Sequence, residues 1–250
     1  MILEHYKGEE VFVKKILDYK YQALDHQRMI LTPFYNPHER EIVKSIVGKE
    51  LLVKSYGCFI NAENKRMIIC PEFYDVVDDD FQVVLVEIIY NPQFGKLQHK
   101  DVLGALMNLG IKRNCIGDIY DRNGLYFSCT TQTFPYIQTH LTKIKKSKIK
   151  LKLVHEDIHI EHDYKTQTFF LSSLRLDKVI ASMFKVSRQV ASEAIRAGNC
   201  KVNYKVVEEV SFLCHNNDMI SLKHYGRVKI SIENRQTKQG NEVVIGYFYK

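Results

Sequence analysis

Tryptophan is missing from this chain, and no two of its six cysteines stand at C-x-x-C spacing. The cysteines are Cys58, Cys70, Cys115, Cys129, Cys200 and Cys214, so a zinc site of the usual spacing is not expected. Reduced, mostly buried thiols are expected instead. No apolar run approaches the roughly 20 residues a membrane helix needs, so no membrane role is expected. There is no low-complexity tract. The first residues, MILEHYKGEE, carry acids where a signal peptide needs a basic start and an apolar core. A cytoplasmic protein is the expectation.

What is present is a globular composition, 45% apolar and 26% charged. The 15 tyrosines and 13 phenylalanines leave aromatic faces for packing or for base stacking. The net charge of +7 is unevenly placed. Residues 1–171 hold 23 basic against 22 acidic side chains, whereas residues 172–250 hold 13 against 7. Almost the whole excess sits in the last third, which suggests a polyanion-binding end.

The order of elements predicts a multi-domain α+β protein. A helix is read over 4–28 from Val11, Phe12, Ile16 and Leu17. Asn36 caps a second helix with Pro37 in its first turn. Leu51–Tyr56 and Arg66–Cys70 form a strand pair. Asp78, Asp79 and Asp80 are read as a solvated loop rather than a metal site. FQVVLVEIIY is a buried strand, and HKDVLGALMNLG is a helix stopped by Gly110. Cys115–Tyr120 and Leu125–Thr130 are strands joined through Asn123-Gly124, a strong hairpin signal. A helix at Phe134–Leu141 and a strand at Ile149–Val154 complete a β-α-β-β-α-β order, the split βαβ pattern of RRM-like folds. The strand Leu125-Tyr126-Phe127-Ser128-Cys129 lacks the Gly-aromatic-basic context of an RNA-stacking strand, which argues against RNA on that sheet face. The divisions expected are an N-terminal α/β domain (1–75), an RRM-like domain (76–155), a linker (156–171) and a basic C-terminal domain (172–250).

Three motif-like stretches need weighing. His155-Glu156-Asp157-Ile158-His159 spells H-E-x-x-H, with His162 following, but a zincin needs that run on a helix and here it follows an alternating strand. Lys143-Ile144-Lys145-Lys146-Ser147 is loosely like the K-M-S-K-S loop of class I aminoacyl-tRNA synthetases, but no H-I-G-H accompanies it. The six lysines Lys143, Lys145, Lys146, Lys148, Lys150 and Lys152 carry two readings. They protect an edge strand, or they contact phosphates.

In the C-terminal third, Ser172 or Ser173 is read as the cap of a helix starting near Leu174. Leu176, Val179, Ile180 and Met183 form its core stripe. Arg175, Lys178 and Ser182 share another face, and Asp177 sits in the first turn, where the helix dipole favours an acid. Ser187 caps a second helix that Gly198 ends, with Arg188, Ser192 and Arg196 on one face. Cys200–Asn203 and Lys205–Val207 read as a strand pair, followed by strands at Met219–Lys223 and Val228–Glu233. Such a module exposes a compact cationic surface, and each cation on a phosphate releases counterions.

This stretch resembles the S4 RNA-binding domain. The residues that carry the likeness are Arg175-Leu176-Asp177-Lys178, Ser187-Arg188, Ile195 to Asn203 (IRAGNCKVN), Val206-Val207 and Asp218-Met219-Ile220. Residues 97–113 (LQHKDVLGALMNLGIKR) with Gly117-Asp118-Ile119 resemble the middle domain of YlmH-type S4 proteins. Ala62-Glu63-Asn64-Lys65-Arg66 and Thr237-Lys238-Gln239-Gly240-Asn241 resemble two further signatures of that family, although Asn64, Gln239 and Asn241 are polar where basic residues are expected. The resemblance implies a bacterial-type, non-enzymatic adaptor with no catalytic residue, metal or cofactor. It implies binding to ribosomal RNA, with tRNA nearby on the large subunit, association with rescue of stalled complexes carrying peptidyl-tRNA, and a genetic link to cell division. Arg175, Lys178, Arg188, Arg196 and Lys201 would contact phosphates, with Ser187, Gln189, Lys205 and Arg227 completing the RNA-binding set. A monomer is expected.

Two rival classes remain. An RNA-modifying enzyme of the pseudouridine synthase kind needs a catalytic Asp, and Asp118 and Asp121 lie beside a hairpin without the usual surroundings. A methyltransferase needs a Gly-rich loop after a first strand, and none is present. A division scaffold would bind protein partners instead.

Overall fold

The computed structural model describes residues 6, 8–156, 158–160 and 164–249. The chain divides into two compact units, Met1–Ile160 and Glu161–Lys250. Both are mixed α and β, and the chain is a multi-domain α+β protein. Among the described residues no helix is long and apolar enough to cross a membrane.

The first unit begins with α1 (Glu10–Asp25), β1 (Ile30–Leu31), α2 (Pro37–Val47), β2 (Leu52–Tyr56), β3 (Phe59–Ile60) and β4 (Arg66–Cys70). The capping expected for α2 is complete. Asn36 Oδ1 accepts the Glu39 N–H at 3.0 Å, and the Glu39 carboxylate accepts the Asn36 N–H at 2.8 Å. Two of the end donors of the helix are thereby satisfied reciprocally. Helix α1 ends at Asp25, before the expected 28, and positions 4, 5 and 7 of the expected helix lie outside the described residues. The two helices bury Val13, Ile16, Ile42 and Val43 against Met67 and Ile69 of the antiparallel sheet β1-β4-β2. Each such side chain stabilises the unit by about 1.5–3 kcal/mol.

The same unit continues with β5 (Val83–Tyr90), α3 (His99–Asn108), β6 (Ile116–Tyr120), β7 (Tyr126–Thr130), α4 (Phe134–His140), β8 (Lys143–Ile144), β9 (Ser147–Val154) and β10 (Ile158–His159). Strands β6, β7, β5, β9 and β8 form one antiparallel sheet in that order. The first and third strands of the β-α-β-β-α-β series are therefore adjacent at its centre, as a split βαβ unit requires. The Asn-Gly hairpin forms, pairing Ile119 with Phe127 and Tyr120 with Tyr126, with Gly124 at φ +119°. One face of the sheet packs Val86, Ile88, Phe127 and Ile149 under Val102, Leu106 and Ile137 of the helices. Part of the other face is not open. Cys58, Phe59, Ala62 and Ile160 pack on Leu85 and Tyr120, beside Tyr126 and Val154. The cover is tied down by the parallel pair Phe59↔Ile158 and Ile60↔His159.

The second unit contains β11 (Tyr164–Leu171), α5 (Leu176–Met183), α6 (Arg188–Arg196), β12 (Cys200–Val202), β13 (Lys205–Val206), β14 (Met219–Leu222), β15 (Gly226–Gln236) and β16 (Glu242–Tyr249). Its antiparallel sheet runs β11-β16-β15-β14-β12-β13. Helices α5 and α6 cover one face with Leu176, Val179, Ile180, Ala191 and Ile195 over Ile220, Leu222, Val228, Ile230 and Val244. The segment read as a linker is corrected here, since Tyr164–Leu171 is an eight-residue strand paired along its length with β16. As an edge strand it buries only Phe169 and Leu171, so its polar sequence carries little sign of burial. Helix α5 also starts later than Leu174. Arg175 is its N-cap without a side-chain bond, and Ser173 Oγ accepts the Arg175 N–H at 3.3 Å. Ser187 does cap α6, accepting the Val190 N–H at 3.2 Å, and Gly198 follows that helix at φ +68°.

Candidate nucleic-acid interface

The basic helices meet at one acid. Asp177, in the first turn of α5, is 1% exposed. Its Oδ1 accepts Arg175 Nε at 3.1 Å, and its Oδ2 accepts Arg188 Nε at 2.7 Å. One carboxylate thus joins the approach to α5 with the first residue of α6. Burial would push its pKa up, but the bonds from Arg175 and Arg188 outweigh this and hold the carboxyl below its usual range. The two guanidinium groups stay outside, with Arg188 57% and Arg175 37% exposed. Each uses its inner edge on Asp177 and retains further N–H donors for a phosphate or a base edge. The acid orients the cations without removing them from solvent. Sequence reading had Asp177 as a dipole-compensating residue and missed this role; the R-x-D spacing followed by a basic N1 residue is the signal that could have found it.

The other candidates on the helices fall nearby in sequence but differ in what they do. Lys178 Nζ donates to Ser172 Oγ at 3.1 Å. The Ser187 oxygen is occupied as a cap, and Gln189 donates to Glu193 at 3.0 Å. Arg196 is exposed at the end of α6. Lys205 is exposed on the short edge strand β13. Lys201 and Arg227 lie elsewhere. Lys201 pairs with Ser221, which pairs with Arg227, so both cations lie on one face of the sheet. That face is opposite the helices, because the alternate residues Val202 and Val228 belong to the helix-covered core. Arg227 stacks over Tyr249 at 4.8 Å, and Tyr164 meets the same ring edge-on at 4.9 Å. Among the nine candidates the structure brings Arg175 and Arg188 into direct partnership, and it separates Lys201 and Arg227 from the helices.

The turn before β14 is held by a second acid. Asp218 accepts Asn203 Nδ2 at 2.7 Å and the His215 N–H at 2.7 Å, while Asn203 Oδ1 accepts the Met219 N–H at 2.9 Å. This ties the β12–β13 hairpin, which carries Lys201 and Lys205, to the sheet.

In the first unit the acids considered for catalysis have structural partners. Asp118 accepts the Glu63 N–H at 2.5 Å, the Asn64 N–H at 3.1 Å and the Asn64 amide at 2.5 Å. Burial pushes its pKa up against the pull of these bonds. The signature Ala62–Arg66 is therefore docked on the signature Gly117–Ile119. Next to Asp118, Gly117 leaves room for Phe34 and Ser128, because a Cβ there would stand 2.7 Å from the Phe34 ring and 2.2 Å from Ser128 Oγ. Asp121 accepts the His99 N–H at 2.7 Å at the start of α3. The H-E-x-x-H stretch is not helical: His155 and Glu156 lie outside regular structure and His159 is in β10. Its Asp157, and His162 beyond it, fall outside the described residues. Asp78, Asp79, His155 and Glu156 line one open cleft of about 410 Å³. Among the described residues no three His, Cys, Asp or Glu side chains are grouped to hold a metal.

Two short helices over a small antiparallel sheet, with arginines displayed around a buried acid, define an S4-type nucleic-acid-binding module joined to an RRM-like unit. Comparison with known proteins places both parts. Residues 77–157 match the family described as "Putative RNA-binding domain in YlmH", and residues 174–220 match the S4 domain. The chain is 32% identical over 243 residues to the "Ribosome-associated protein quality control protein P2" of Bacillus subtilis (strain 168), covering 95% of each chain. It is similar in structure to the "Cell division protein ylmH from Streptococcus pneumoniae" at a TM-score of 0.52 and 28% identity, covering 59% of this chain and 92% of that one. The chain belongs to the YlmH family of S4-domain RNA-binding proteins.

Proposed function

We propose that this protein is a cytoplasmic, monomeric adaptor that binds ribosomal RNA of the large subunit near peptidyl-tRNA and acts in ribosome-associated quality control, without catalysing a reaction. The Asp177-centred pair of arginines carries the reading. It fixes two guanidinium groups side by side while leaving their outer donors in solvent, an arrangement suited to the phosphate backbone. Likeness over nearly the whole chain to a ribosome-associated quality control protein supports the ribosome as the place of action. In that role Arg175, Lys178, Arg188 and Arg196 position the module on RNA from the helices, beside Ser187 and Gln189, while Lys201 with Arg227 contacts it from the sheet face opposite, and Lys205 from the edge strand.

Reversing the charge of Arg188 and Arg196 together (R188E/R196E) tests it. Because Arg188 also partners the buried Asp177, the variant melts lower than the parent; at a temperature where circular dichroism shows it folded, it no longer co-sediments with large ribosomal subunits. Undiminished co-sedimentation of the folded variant sinks the assignment. A role in cell division is the second reading, favoured by likeness to a protein named for it. It predicts division-protein pull-downs that survive RNase treatment, whereas the adaptor reading predicts their loss.

A further inference from the structure

The family matched at residues 77–157 is named for RNA binding, which raises the question of where on this domain RNA would lie. In an RRM that binds on its sheet, bases stack on aromatic side chains of the central strands. Here the aromatics in that region, Tyr120 and Tyr126, are packed with Phe59, Ala62 and Ile160 of the same unit. Stacking there would require removing a buried apolar cover. RNA needs another part of this domain.

The same sheet face remains open at its other end, and it is cationic there. On β9, Lys148, Lys150 and Lys152 alternate with Ile149 and Leu151, which pack toward the helices. The three lysines therefore share the helix-free face at steps of about 7 Å. Lys143 of β8 is registered directly opposite Lys148 and joins them. Beside them on β5, Ile89 is opposite Lys150 and is 46% exposed. Lys152 lies 4.0 Å from Glu87, and Lys145 in the turn is held by Asp101 at 2.6 Å. Among the described residues Lys143, Lys148 and Lys150 make no ion pair.

Edge protection accounts for part of this. Among the described residues no strand pairs with the outer side of β9 beyond Lys148, and lysines discourage one from doing so. It does not account for Lys143 facing Lys148, since like charges directly opposite destabilise a strand pair. Nor does it account for Lys145 in the left-handed region at φ +51°, a position where glycine is the relaxed choice. The hairpin accepts both costs and concentrates positive charge as a result.

We infer that Lys143, Lys148 and Lys150 form a second RNA-contacting surface, a ladder that takes the phosphate backbone without reading sequence. The inference rests on the RNA-binding reading above and adds a contact outside the S4 module. Backbone contacts of this kind fix position and carry most of the salt dependence.

The test uses the full chain and a mixed-sequence RNA hairpin as probe, with affinity measured across a salt series. The K143Q/K148Q/K150Q variant is expected to lose affinity by about tenfold or more at low salt, and its log K against log salt slope to fall by about 2 to 3. The K143R/K148R/K150R variant keeps the slope of the parent. A folded, monomeric Gln variant with unchanged affinity and slope overturns the ladder. So does a Gln variant that self-associates while each copy binds RNA as before, because the lysines then only protect an edge. An Arg variant as impaired as the Gln variant also overturns it, since charge would then not be the cause. R188E/R196E measured beside these separates the two readings. If it binds like the parent while the Gln variant fails, the S4 assignment falls and the ladder stands; the reverse pattern removes the ladder alone.

Discussion

At the scale of single residues, the acids do the arranging and the bases face outward. Asp177 and Asp218 are both buried and both spend their oxygens on neighbours that display cations. Replacing Asp177 by Asn keeps the shape but removes the charge between two arginines. Hydrogen bonds to charged groups contribute about 1.5–3 kcal/mol, so D177N is expected to lower the stability of the C-terminal unit by an amount of that order at neutral pH. The pH dependence follows from the sign of the shift. The folded carboxyl titrates lower than the unfolded one, near 3.9, so its contribution is present above that pH and is lost as pH falls through the folded value. Thermal melts across pH should therefore show the gap between wild type and D177N closing below about pH 4. At the thiols burial prevails, pushing Cys200 and Cys214 up to about 12. Five cysteines are buried and Cys115 is partly exposed. A thiol reagent at neutral pH should label Cys115 alone in the native protein, read by mass spectrometry, and the other five only after unfolding.

At the scale of elements, the periodic segments were legible and the short or polar ones were not. Helix α2 announced itself through Asn36, Pro37 and Glu39, and the β6–β7 hairpin through Asn123-Gly124, because these are local rules that tertiary context did not overturn. The lysine strand β9 was readable from its alternation. The two-residue strands β1, β3, β8 and β10 were not, since two residues carry no period; β13, equally short, was readable only as the return arm of β12. Strand β11 reads as a linker in sequence because five of its first seven residues are polar or charged or tyrosine, and its pairing partner lies some eighty positions away in β16. For the site, the basic residue types were visible in sequence, but their division between a helix cluster at Asp177 and a sheet face at Lys201 and Arg227 depends on strand register. The misread strand gives a direct check. A fragment beginning at Ser172 lacks Phe169 and Leu171, each worth about 1.5–3 kcal/mol of burial. It should melt well below one beginning at Tyr164, or fail to fold, by calorimetry.

At the scale of the whole molecule, charge and grip are distributed over two units. The S4 module carries most of the net charge, and the ladder adds a local concentration in a unit that is otherwise near neutral. Tethered sites bind as one ligand with a high effective concentration, so the full chain should exceed either unit alone by about 10²–10⁴ in affinity for large-subunit ribosomal RNA. Mixing separate units at equal concentration should not restore that affinity in a filter-binding assay. Equal binding by the mixture and the intact chain would mean that one unit does all the work.

The covered sheet face has a consequence for biogenesis. Asn61 and His159, which lie together at the edge of the cover, are 98 residues apart in the chain. A nascent chain emerges N-terminus first at about 5–20 residues per second. For several seconds, therefore, Phe59, Leu85 and Tyr120 exist without Ile158 and Ile160 to seal them. The first unit closes only when synthesis reaches the threshold of the S4 module, and an interruption just before that point leaves an adhesive, unfinished sheet.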